Sequence, residues 1–198
     1  MEHFYKDVEG FFNFEELYTK MVNWGQDGFH FLEVGSWKGK SAAFMCVEII
    51  NSGKNIKFDC VDTFKGSLDE ELHQNDPDVV DNNLFEKFII NMKPVDDHYN
   101  VIVGSSVEVS KQYVDGSLDF VNIDGAHNYD AVKEDIESWL PKVKKGGYLG
   151  GDDFHHPPLR QAVYDSLPHD KIQQVGNCWL YYKEENWMEY WGKHYIAN

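Results

Sequence analysis

Apolar runs and amphipathic segments alternate along most of the chain. Short apolar runs bounded by turn residues predict buried strands, at residues 29–34, 56–62, 101–103, 118–123 and 148–151. Longer segments with apolar residues at helical spacing predict helices, at residues 14–24, 38–51, 82–91, 131–140 and 157–167. Strands and helices that alternate in this order predict a parallel sheet with helices on both faces.

The end of the chain follows a different pattern. Residues 171–182 predict a β-hairpin with its turn near residues 176–177, and the aromatic stretch 184–195 predicts a packed helix. The pattern as a whole predicts an α/β fold with one Rossmann-like, doubly wound, mostly parallel seven-stranded sheet that ends in an antiparallel hairpin. At 198 residues the chain has the length of a single domain. Residues 1–28 form a predicted N-terminal helical segment, and residues 65–100 a predicted insertion on the substrate side.

The stretch 31–41 combines a strand, two glycines (Gly35 and Gly39) and the start of a helix. Such a turn lets the backbone approach a ligand and directs free N–H groups of the helix toward it. A dinucleotide fingerprint requires glycine where this chain has Trp37, and the P-loop pattern does not occur in the sequence. Glu33, at the end of the strand, suits a ligand with cationic and hydroxyl groups better than phosphates. An ordinary turn between strand and helix is the alternative.

Asp62 ends the second predicted strand, 23 residues after Gly39. Nucleotide-binding folds place an acidic residue that binds ribose hydroxyls about 20 residues after the glycine turn. We therefore expect Asp62 to contact a ribose. The alternative is an aspartate that only caps a helix or a turn.

Three further aspartates follow predicted strands: Asp124 after the fourth, and Asp152 and Asp153 after the fifth. Because the carboxyl ends of parallel strands meet at one edge of the sheet, these carboxylates form a candidate site for Mg²⁺ or Ca²⁺. One of the last two can instead cap the next helix. His155 and His156 suggest a softer metal, although adjacent histidines on a short loop seldom both bind one ion.

His127 lies three residues after Asp124, near the start of a predicted helix. A neutral imidazole at pH 7 can accept a proton from a substrate hydroxyl, so His127 and Asp124 are the candidate catalytic residues. A histidine that caps the helix without any chemistry is the alternative.

The segment 65–100 begins with a polar, acidic loop at residues 66–78. This connection is long for a strand and a helix in a compact domain, and long loops of this kind are often lids or binding loops. A solvated insertion is the alternative. His73 is within the loop and can reach a substrate, but exposed loop histidines are common.

Composition excludes several classes of partner. The net charge of −16 repels phosphate backbones and anionic membranes, so we expect neither a nucleic-acid nor a membrane partner. The sequence has no apolar run of spanning length and no signal peptide at its start. Cys46, Cys60 and Cys178 are far apart within apolar segments, which predicts buried thiols without a disulfide or zinc spacing. A cytoplasmic location is the simplest expectation.

With these residues identified, the chain resembles the class I S-adenosylmethionine-dependent methyltransferases. More narrowly, it is similar to the small-molecule O-methyltransferases related to macrocin O-methyltransferase. The resemblance extends over about residues 29–163 and rests on six segments in order, at residues 32–41, 61–66, 84–88, 123–130, 135–142 and 146–154. It implies O-methylation of a small hydroxylated acceptor, for which a sugar is a candidate.

The resemblance also implies roles for particular residues. The residues assigned to the cofactor are Gly35 and Gly39 around its methionine part, Ser41 near its carboxylate, Trp37 beside the sulfonium, Asp62 on the ribose and Ser106 by the adenine. Glu33 and Asp124, at strand ends where a cofactor would lie, complete the predicted cofactor site. The residues assigned to Mg²⁺ are Asp124, Asp152 and Asp153. His127 occupies the position of a lysine base in catechol O-methyltransferase-like enzymes, so the identity of the base is open. The loop from Ser67 to Val80 matches the family poorly.

Two other functions remain open at this stage. One is a methyltransferase-like module that binds a cofactor or partner without catalysis. The other is a dinucleotide-dependent oxidoreductase, which Trp37 in the glycine turn disfavours. The aromatic residues of the C-terminal tail are a candidate homodimer interface, although a packed terminal helix needs aromatic residues as well.

Overall fold

We analysed a computed structural model that describes residues 1–67 and 70–184. Seven strands of this described part form one sheet, in the spatial order β3-β2-β1-β4-β5-β7-β6. Their bounds are β1 His30–Val34, β2 Lys57–Asp62, β3 Asn100–Val103, β4 Leu118–Ile123, β5 Val143–Gly151, β6 Ile172–Val175 and β7 Cys178–Tyr182. Strands β1 to β5 are parallel, and β7 runs antiparallel to both β5 and β6. The predicted seven-stranded, mostly parallel sheet with a C-terminal hairpin is confirmed.

Helices connect the parallel strands. The α-helices of the described part are α1 Glu15–Trp24, α2 Lys40–Ser52, α3 Glu71–Gln74, α4 Pro77–Val80, α5 Leu84–Met92, α6 Ser106–Ser110, α7 Tyr129–Trp139 and α8 Pro157–Ser166. Short 3₁₀ turns lie at Tyr5–Asp7, Lys93–His98, Leu140–Lys142 and His169–Lys171. The predicted loop 66–78 therefore contains the single-turn helix α3 and the start of α4. The predicted terminal helix 184–195 lies almost entirely outside the described residues.

Both faces of the sheet are covered by apolar side chains. Phe31 and Phe120 belong to a buried cluster with helices α1 and α2, whereas Leu32 and Val121 belong to a second cluster with α7 and α8. Successive residues of a strand point to opposite faces, so each strand serves both clusters. This explains why the strands appear in the sequence as continuous apolar runs.

Strand β5 begins five residues earlier than predicted, at Val143. The pattern at Gly146 and Gly147 predicts the end of a helix, but both glycines lie inside the strand. Gly146 has φ +82°, and the pairing of β4 with β5 shifts register here. The glycines therefore accommodate an irregularity in the strand.

The three cysteines, Cys46, Cys60 and Cys178, are buried free thiols, as predicted. Within the described residues, no helix is both long and apolar enough to cross a bilayer. The strand order reverses direction between β1 and β4. A crevice at the carboxyl ends of these two strands is the usual ligand position in an open α/β sheet.

Candidate active site

Gly35 leaves β1 directly beside the loop that follows β4. It has φ +89°, and a Cβ atom there would lie 1.9 Å from the carbonyl oxygen of Asp124. The need for glycine thus arises from a neighbouring backbone, not from the ligand approach that the sequence suggested. Gly39 also has a positive φ, +90°, and packs on Met92 and Phe88. The glycine turn is therefore a fixed part of the crevice wall.

Asp62 holds this turn through its carboxylate. Its two oxygens accept the backbone N–H groups of Trp37 and Phe64, each at 2.7 Å. Burial raises the pKa of Asp62, although these hydrogen bonds oppose the effect. The structural alternative of a turn-capping aspartate is thus realised. The Ser36 N–H adds a third backbone hydrogen bond to this carboxylate. Because a carboxylate can accept about four hydrogen bonds, the predicted ribose contact stays compatible with this arrangement.

A first cavity of about 410 Å³ opens beside these residues. Its walls come from the ends of β1, β2 and β4, from the residues that follow β3, from helix α7 and from Gly66, Ser67 and His73 of the insertion. Gly35, Trp37, Asp62, Ser106 and Asp124 line it, as the sequence predicted for the cofactor. We call it the cofactor cavity.

Ser106 lies in the wall of the cofactor cavity with its hydroxyl already engaged. Its oxygen accepts a hydrogen bond from Trp139 Nε1 at 2.7 Å, and the hydroxyl bonds to Asp135. Burial raises the pKa of Asp135 to about 6. Asp135 lines the cavity and was not among the predicted site residues. The sequence does contain a sign of this position, because Asp135 is an acidic residue among the apolar residues Val132 and Ile136 on the buried face of α7.

Glu33 and Ser41 lie behind the cavity wall. Glu33 is fully buried, and Tyr18 of α1 donates a hydrogen bond to it at 2.5 Å. Burial raises the pKa of Glu33 to about 7, although hydrogen bonds from Tyr18 and Ser41 oppose this. Glu33, Gly39 and Ser41 line neither of the two cavities, and their contacts with the cofactor stay predictions. The period-2 alternation of β1 places Glu33 on the same face as Phe31, toward α1.

A second cavity of about 490 Å³ adjoins the first. The residues that line both cavities form a common wall: Gly35, Trp37, His73, Asp124, Gly125 and Asn128. Phe11 and Phe12 from the N-terminal segment line it, as do Glu70, Leu72 and His73 from the insertion and His127, Asp152, Asp153 and His156 from the sheet edge. We call it the acceptor cavity. Residues of the insertion line both cavities, and its location on the acceptor side stays a prediction.

The predicted acidic residues meet in the acceptor cavity. Asp124 and Asp152 each follow one of the register partners Ile123 and Gly151, which makes them neighbours across β4 and β5. Burial and the charge of Asp152 raise the pKa of Asp124. Such a raised pKa indicates buried carboxylates that lack a full countercharge.

The turn of the β6–β7 hairpin supports two of these carboxylates. Asn177 donates a hydrogen bond to Asp153 Oδ1 at 3.2 Å, and the Cys178 thiol lies 3.6 Å from Asp152 Oδ1. Asp153 itself has φ +52°, a conformation uncommon for a residue with a side chain. The hairpin therefore contributes to the site as well as to the sheet.

Two sets of side chains are candidates for metal binding. Asp124, Asp152 and Asp153 offer hard carboxylate oxygens in one cavity, which suit Mg²⁺. The described residues that bring three ligand atoms within 4.8 Å of one another are Asp153, His155 and His156. The carboxylates of the first set suit Mg²⁺ chemically. Their oxygens, however, lie farther apart than the three ligand atoms of the second set.

His127 is surrounded by carboxylates. Its Nδ1 lies 2.5 Å from Glu70 Oε1, and its Nε2 lies 3.3 Å from Asp153 Oδ2 and 3.9 Å from Asp124 Oδ1. Burial alone lowers the pKa of an imidazole, but these carboxylates outweigh it and raise the pKa of His127. The raised pKa favours an imidazolium in the ligand-free site, whereas the sequence predicts a neutral ring.

The insertion and the N-terminal segment are both fastened to the glycine turn. The ring of Trp37 stacks on His73 with centroids 4.1 Å apart. The Lys38 ammonium, whose side chain is 3% exposed, lies 3.0 Å from Glu9 and 2.8 Å from both Asp76 and Asp78. These contacts bring residues far apart in sequence to the wall shared by the two cavities.

A seven-stranded sheet with its last strand reversed, a glycine turn after β1 and an acidic residue after β2 define a Rossmann-like methyltransferase fold. The chain belongs to the methyltransferase-domain family, whose model matches residues 32–154. It is therefore a methyltransferase, and this family membership implies S-adenosylmethionine as the cofactor.

Solved structures share this fold. The O-methyltransferase NovP is 18% identical, with 86% of this chain and 79% of that chain covered and a TM-score of 0.59. The calicheamicin methyltransferase CalS11 is 15% identical, with 85% and 76% covered and a TM-score of 0.59. The cofactor-bound Rv0187 from MTB is 14% identical, with 90% and 85% covered and a TM-score of 0.62. At these identities the likeness concerns the fold.

Proposed function

We propose that the protein transfers the methyl group of S-adenosylmethionine to a hydroxyl oxygen of a small acceptor held in the acceptor cavity. The observation that carries this proposal is the common wall of the two cavities, which includes Gly35, Trp37 and Asp124. A cofactor in the first cavity would present its sulfonium methyl at this wall. An acceptor in the second cavity would approach the methyl from the opposite side.

The chemistry would be an in-line displacement. The acceptor oxygen forms a bond to the methyl carbon, the bond from that carbon to sulfur breaks, and S-adenosylhomocysteine leaves as a neutral thioether. The hydroxyl proton passes to a carboxylate or imidazole of the site, for which Asp124 and His127 are the candidates. Holding the two reactants in line at one wall is the main contribution of the protein.

The polar groups of the acceptor cavity support oxygen as the nucleophile. Carboxylates and imidazoles can accept a proton from a hydroxyl and bind the hydroxyls beside it. Phe11, Phe12 and Trp37 add aromatic surface, which suits the apolar face of a sugar or an aromatic ring. A sugar is the acceptor class we favour. The fold neighbour CalS11 is itself a TDP-rhamnose 3'-O-methyltransferase.

We further propose that Asp124, Asp152 and Asp153 hold Mg²⁺. The cation would offset the carboxylate charges and lower the pKa of a hydroxyl bound to it. In this arrangement the carboxylates orient the acceptor, and the ring of His127, with fewer uncompensated negative charges around it, would be more easily deprotonated. The buried, mutually repelling carboxylates of Asp124 and Asp152 support this assignment.

The first test is calorimetric titration of the protein with S-adenosylhomocysteine and, separately, with NAD. Binding of the first alone supports the cofactor assignment. Binding of NAD alone would favour the oxidoreductase alternative, and a folded sample that binds neither contradicts the proposal.

The second test is a screen for methyl transfer from labelled S-adenosylmethionine to sugars and catechols, with Mg²⁺ and with EDTA. Transfer that EDTA abolishes supports the metal. Full activity in EDTA, together with full activity of Asp153→Asn, would remove the metal from the proposal. Tight binding of S-adenosylhomocysteine without transfer to any acceptor would favour a non-catalytic binding module.

A further inference from the structure

Helix α5, the longest helix of the insertion, carries apolar side chains on two opposite faces. Its inner face is buried in the core through three apolar residues: Leu84, Phe88 and Met92. Its outer face exposes three more, Phe85, Ile89 and Ile90, which are 41%, 39% and 60% exposed. A helix that is apolar on both faces is normally covered on both, so the outer face of α5 lacks a cover that its composition suits.

Other surface helices of the protein do not share this outer face. The exposed residues of α1 are Glu16, Lys20 and Asn23. Those of α7 are all acidic: Asp130, Glu134 and Glu137. Both helices thus follow the usual amphipathic pattern, with polar residues toward water. The exposed isoleucines are therefore particular to α5.

Two opposite charges flank these isoleucines on α5. Glu86, Ile89, Ile90 and Lys93 follow one another at i, i+3, i+4 and i+7, so they lie in one row along the outer face. We call these four residues the α5 stripe. Glu86 and Lys93 are exposed, and within the part of the chain that the structure describes neither has an ion-pair partner.

The order of charges in the α5 stripe is complementary to itself. Glu86 and Lys93 are equally far from the midpoint between Ile89 and Ile90. When two copies pack antiparallel about a twofold axis through that midpoint, Glu86 of each copy faces Lys93 of the other. A parallel arrangement would instead place like charges opposite one another. Because each copy has a net charge of −16, association requires such local pairing of opposite charges.

The apolar surface continues from α5 toward the open edge of the sheet. Phe85 packs on Phe64 with ring centroids 5.1 Å apart. Phe64 lies two residues after Asp62, whose register partner is Val103 on the edge strand β3. Val103 is itself 56% exposed. The apolar surface is thus larger than one helix, as a specific interface of about 1,200 Å² or more requires.

We propose that the α5 stripe is the interface of a homodimer in which the α5 helices of two copies pack antiparallel. The helices cross at a shallow angle of about 20°, so that both ends of the stripe stay in contact. Ile89 and Ile90 of each copy bury those of the other, and two ion pairs between Glu86 and Lys93 form the rim. This interface is separate from the aromatic C-terminal tail, the other candidate for dimer contacts.

The test is sedimentation equilibrium of the full chain at concentrations from about 1 µM to about 1 mM. The variants are Ile90→Asp, Glu86→Lys, Lys93→Glu and the double variant with both charge reversals. Val114→Asp is the matched control, because Val114 is an exposed apolar residue in the connection between α6 and β4. All substituted positions are exposed, and urea unfolding verifies that each variant is folded.

We expect the wild type and Val114→Asp to dimerise with a dissociation constant in the micromolar range, on the order of 10 µM. Ile90→Asp should stay monomeric, because it buries two unpaired carboxylates in the interface. Each single charge reversal places like charges opposite one another at two positions, and should raise the dissociation constant by about 10-fold or more. The double variant exchanges the signs of both pairs and should dimerise like the wild type.

A mixture of the two single charge reversals provides a second check. Glu86→Lys carries two lysines in the stripe and Lys93→Glu two glutamates, so their heterodimer has opposite charges at both ends. The equimolar mixture should therefore associate more strongly than either variant alone.

Three results would overturn the proposal. The first is a wild type that stays monomeric over the whole concentration range. The second is a dimer of equal stability in the wild type and Ile90→Asp, which would move the contact elsewhere, with the C-terminal tail as the next candidate. The third is a double variant that associates as weakly as the single charge reversals, since this would contradict the antiparallel pairing.

Discussion

The cofactor cavity takes most of its wall from strand ends, the turns that leave them and helix α7, and a smaller part from the insertion. The acceptor cavity takes much of its wall from the N-terminal segment and the insertion, both outside the sheet. On the cofactor side, backbone contacts determine the geometry, as at Gly35 and Asp62. On the acceptor side, side chains determine it, through the Lys38 ion pairs and the contact of Glu70 with His127. We therefore expect substitutions on the first side to disturb the fold, and those on the second side to disturb mainly the site.

The largest expected effect is that of Gly35→Ala. The new Cβ would overlap the Asp124 carbonyl at 1.9 Å, so β1 and the β4 loop must separate. We expect a loss of about 3 kcal/mol or more in the free energy of unfolding, or no folded protein at all. Gly28→Ala is the matched control, because Gly28 has a similar φ of +83° but open space around it. That control should lose only about 1 kcal/mol, measured by urea unfolding.

The next effect is that of Lys38→Met. Removal of the buried ammonium leaves Glu9, Asp76 and Asp78 without their common partner. Because these carboxylates are partly exposed, we expect a loss of about 2 kcal/mol, less than for a fully buried pair. Limited proteolysis should then cleave the insertion faster. Lys111→Met, which breaks an exposed pair with Glu108, is the control. Equal protease resistance in both variants would contradict the proposed docking of the insertion.

The third effect, that of Asp62→Ala, concerns ligand binding in the cofactor cavity. The substitution removes the acceptor for two backbone N–H groups and the predicted partner of the ribose. We expect the dissociation constant for S-adenosylhomocysteine to rise by about 10- to 100-fold, because the variant loses the hydrogen bonds that the ribose makes to a charged carboxylate. Asp153→Asn should keep wild-type binding and lose turnover. Calorimetric titration gives the affinity of both variants, and the methyl-transfer assay gives the turnover of Asp153→Asn. Equal affinities of Asp62→Ala and the wild type for S-adenosylhomocysteine would contradict the ribose contact.

The smallest effect concerns pH, at the opposite end of the sheet. Burial alone would raise the pKa of Asp59, but hydrogen bonds from His30, Tyr113 and Asn100 outweigh it and lower the pKa. As the pH falls, the Asp59 carboxylate takes up a proton in the unfolded chain before it does so in the folded protein. The stabilisation from this carboxylate is therefore complete above about pH 4 and is lost as the pH drops through the lowered pKa of the folded state.

Urea unfolding at pH 6 and at acidic pH tests this prediction. Between these two pH values the free energy of unfolding should fall less in Asp59→Asn than in the wild type. In the control Asp97→Asn, which changes an exposed aspartate, it should fall as much as in the wild type. An acid limb identical in wild type and Asp59→Asn would show that other carboxylates account for it.

The architecture was predictable because its signals are local. Alternating apolar segments indicated a doubly wound, mostly parallel sheet, and the predicted turn at residues 176–177 is where Val175 pairs with Cys178. The aspartates at the sheet edge followed from the geometry of parallel strands. The start of β5 was predicted wrongly, because glycine is typical both of helix ends and of irregularities within a strand.

Other parts of the site were not predictable from local patterns. Glu70 and Phe11 reach the acceptor cavity through contacts between distant segments, and no periodicity in either segment indicates such a contact. Ser41 was assigned to the cofactor, although its hydroxyl serves Glu33 behind the wall. The alternation of β1 could have indicated the buried side of Glu33, but not its hydrogen bond to Tyr18.

The separate origin of the two cavity walls has a consequence for how such enzymes diversify. Phe11 and Phe12 belong to one exchangeable segment, and Glu70, Leu72 and His73 to another, and each meets the sheet mainly through the glycine turn. A lineage could replace the N-terminal segment, and with it the molecule that is modified, without changing the lining of the cofactor cavity, whereas replacement of the insertion would also change Gly66, Ser67 and His73 in that lining. For engineering, the same two segments are the natural units for grafting a new substrate preference onto this sheet.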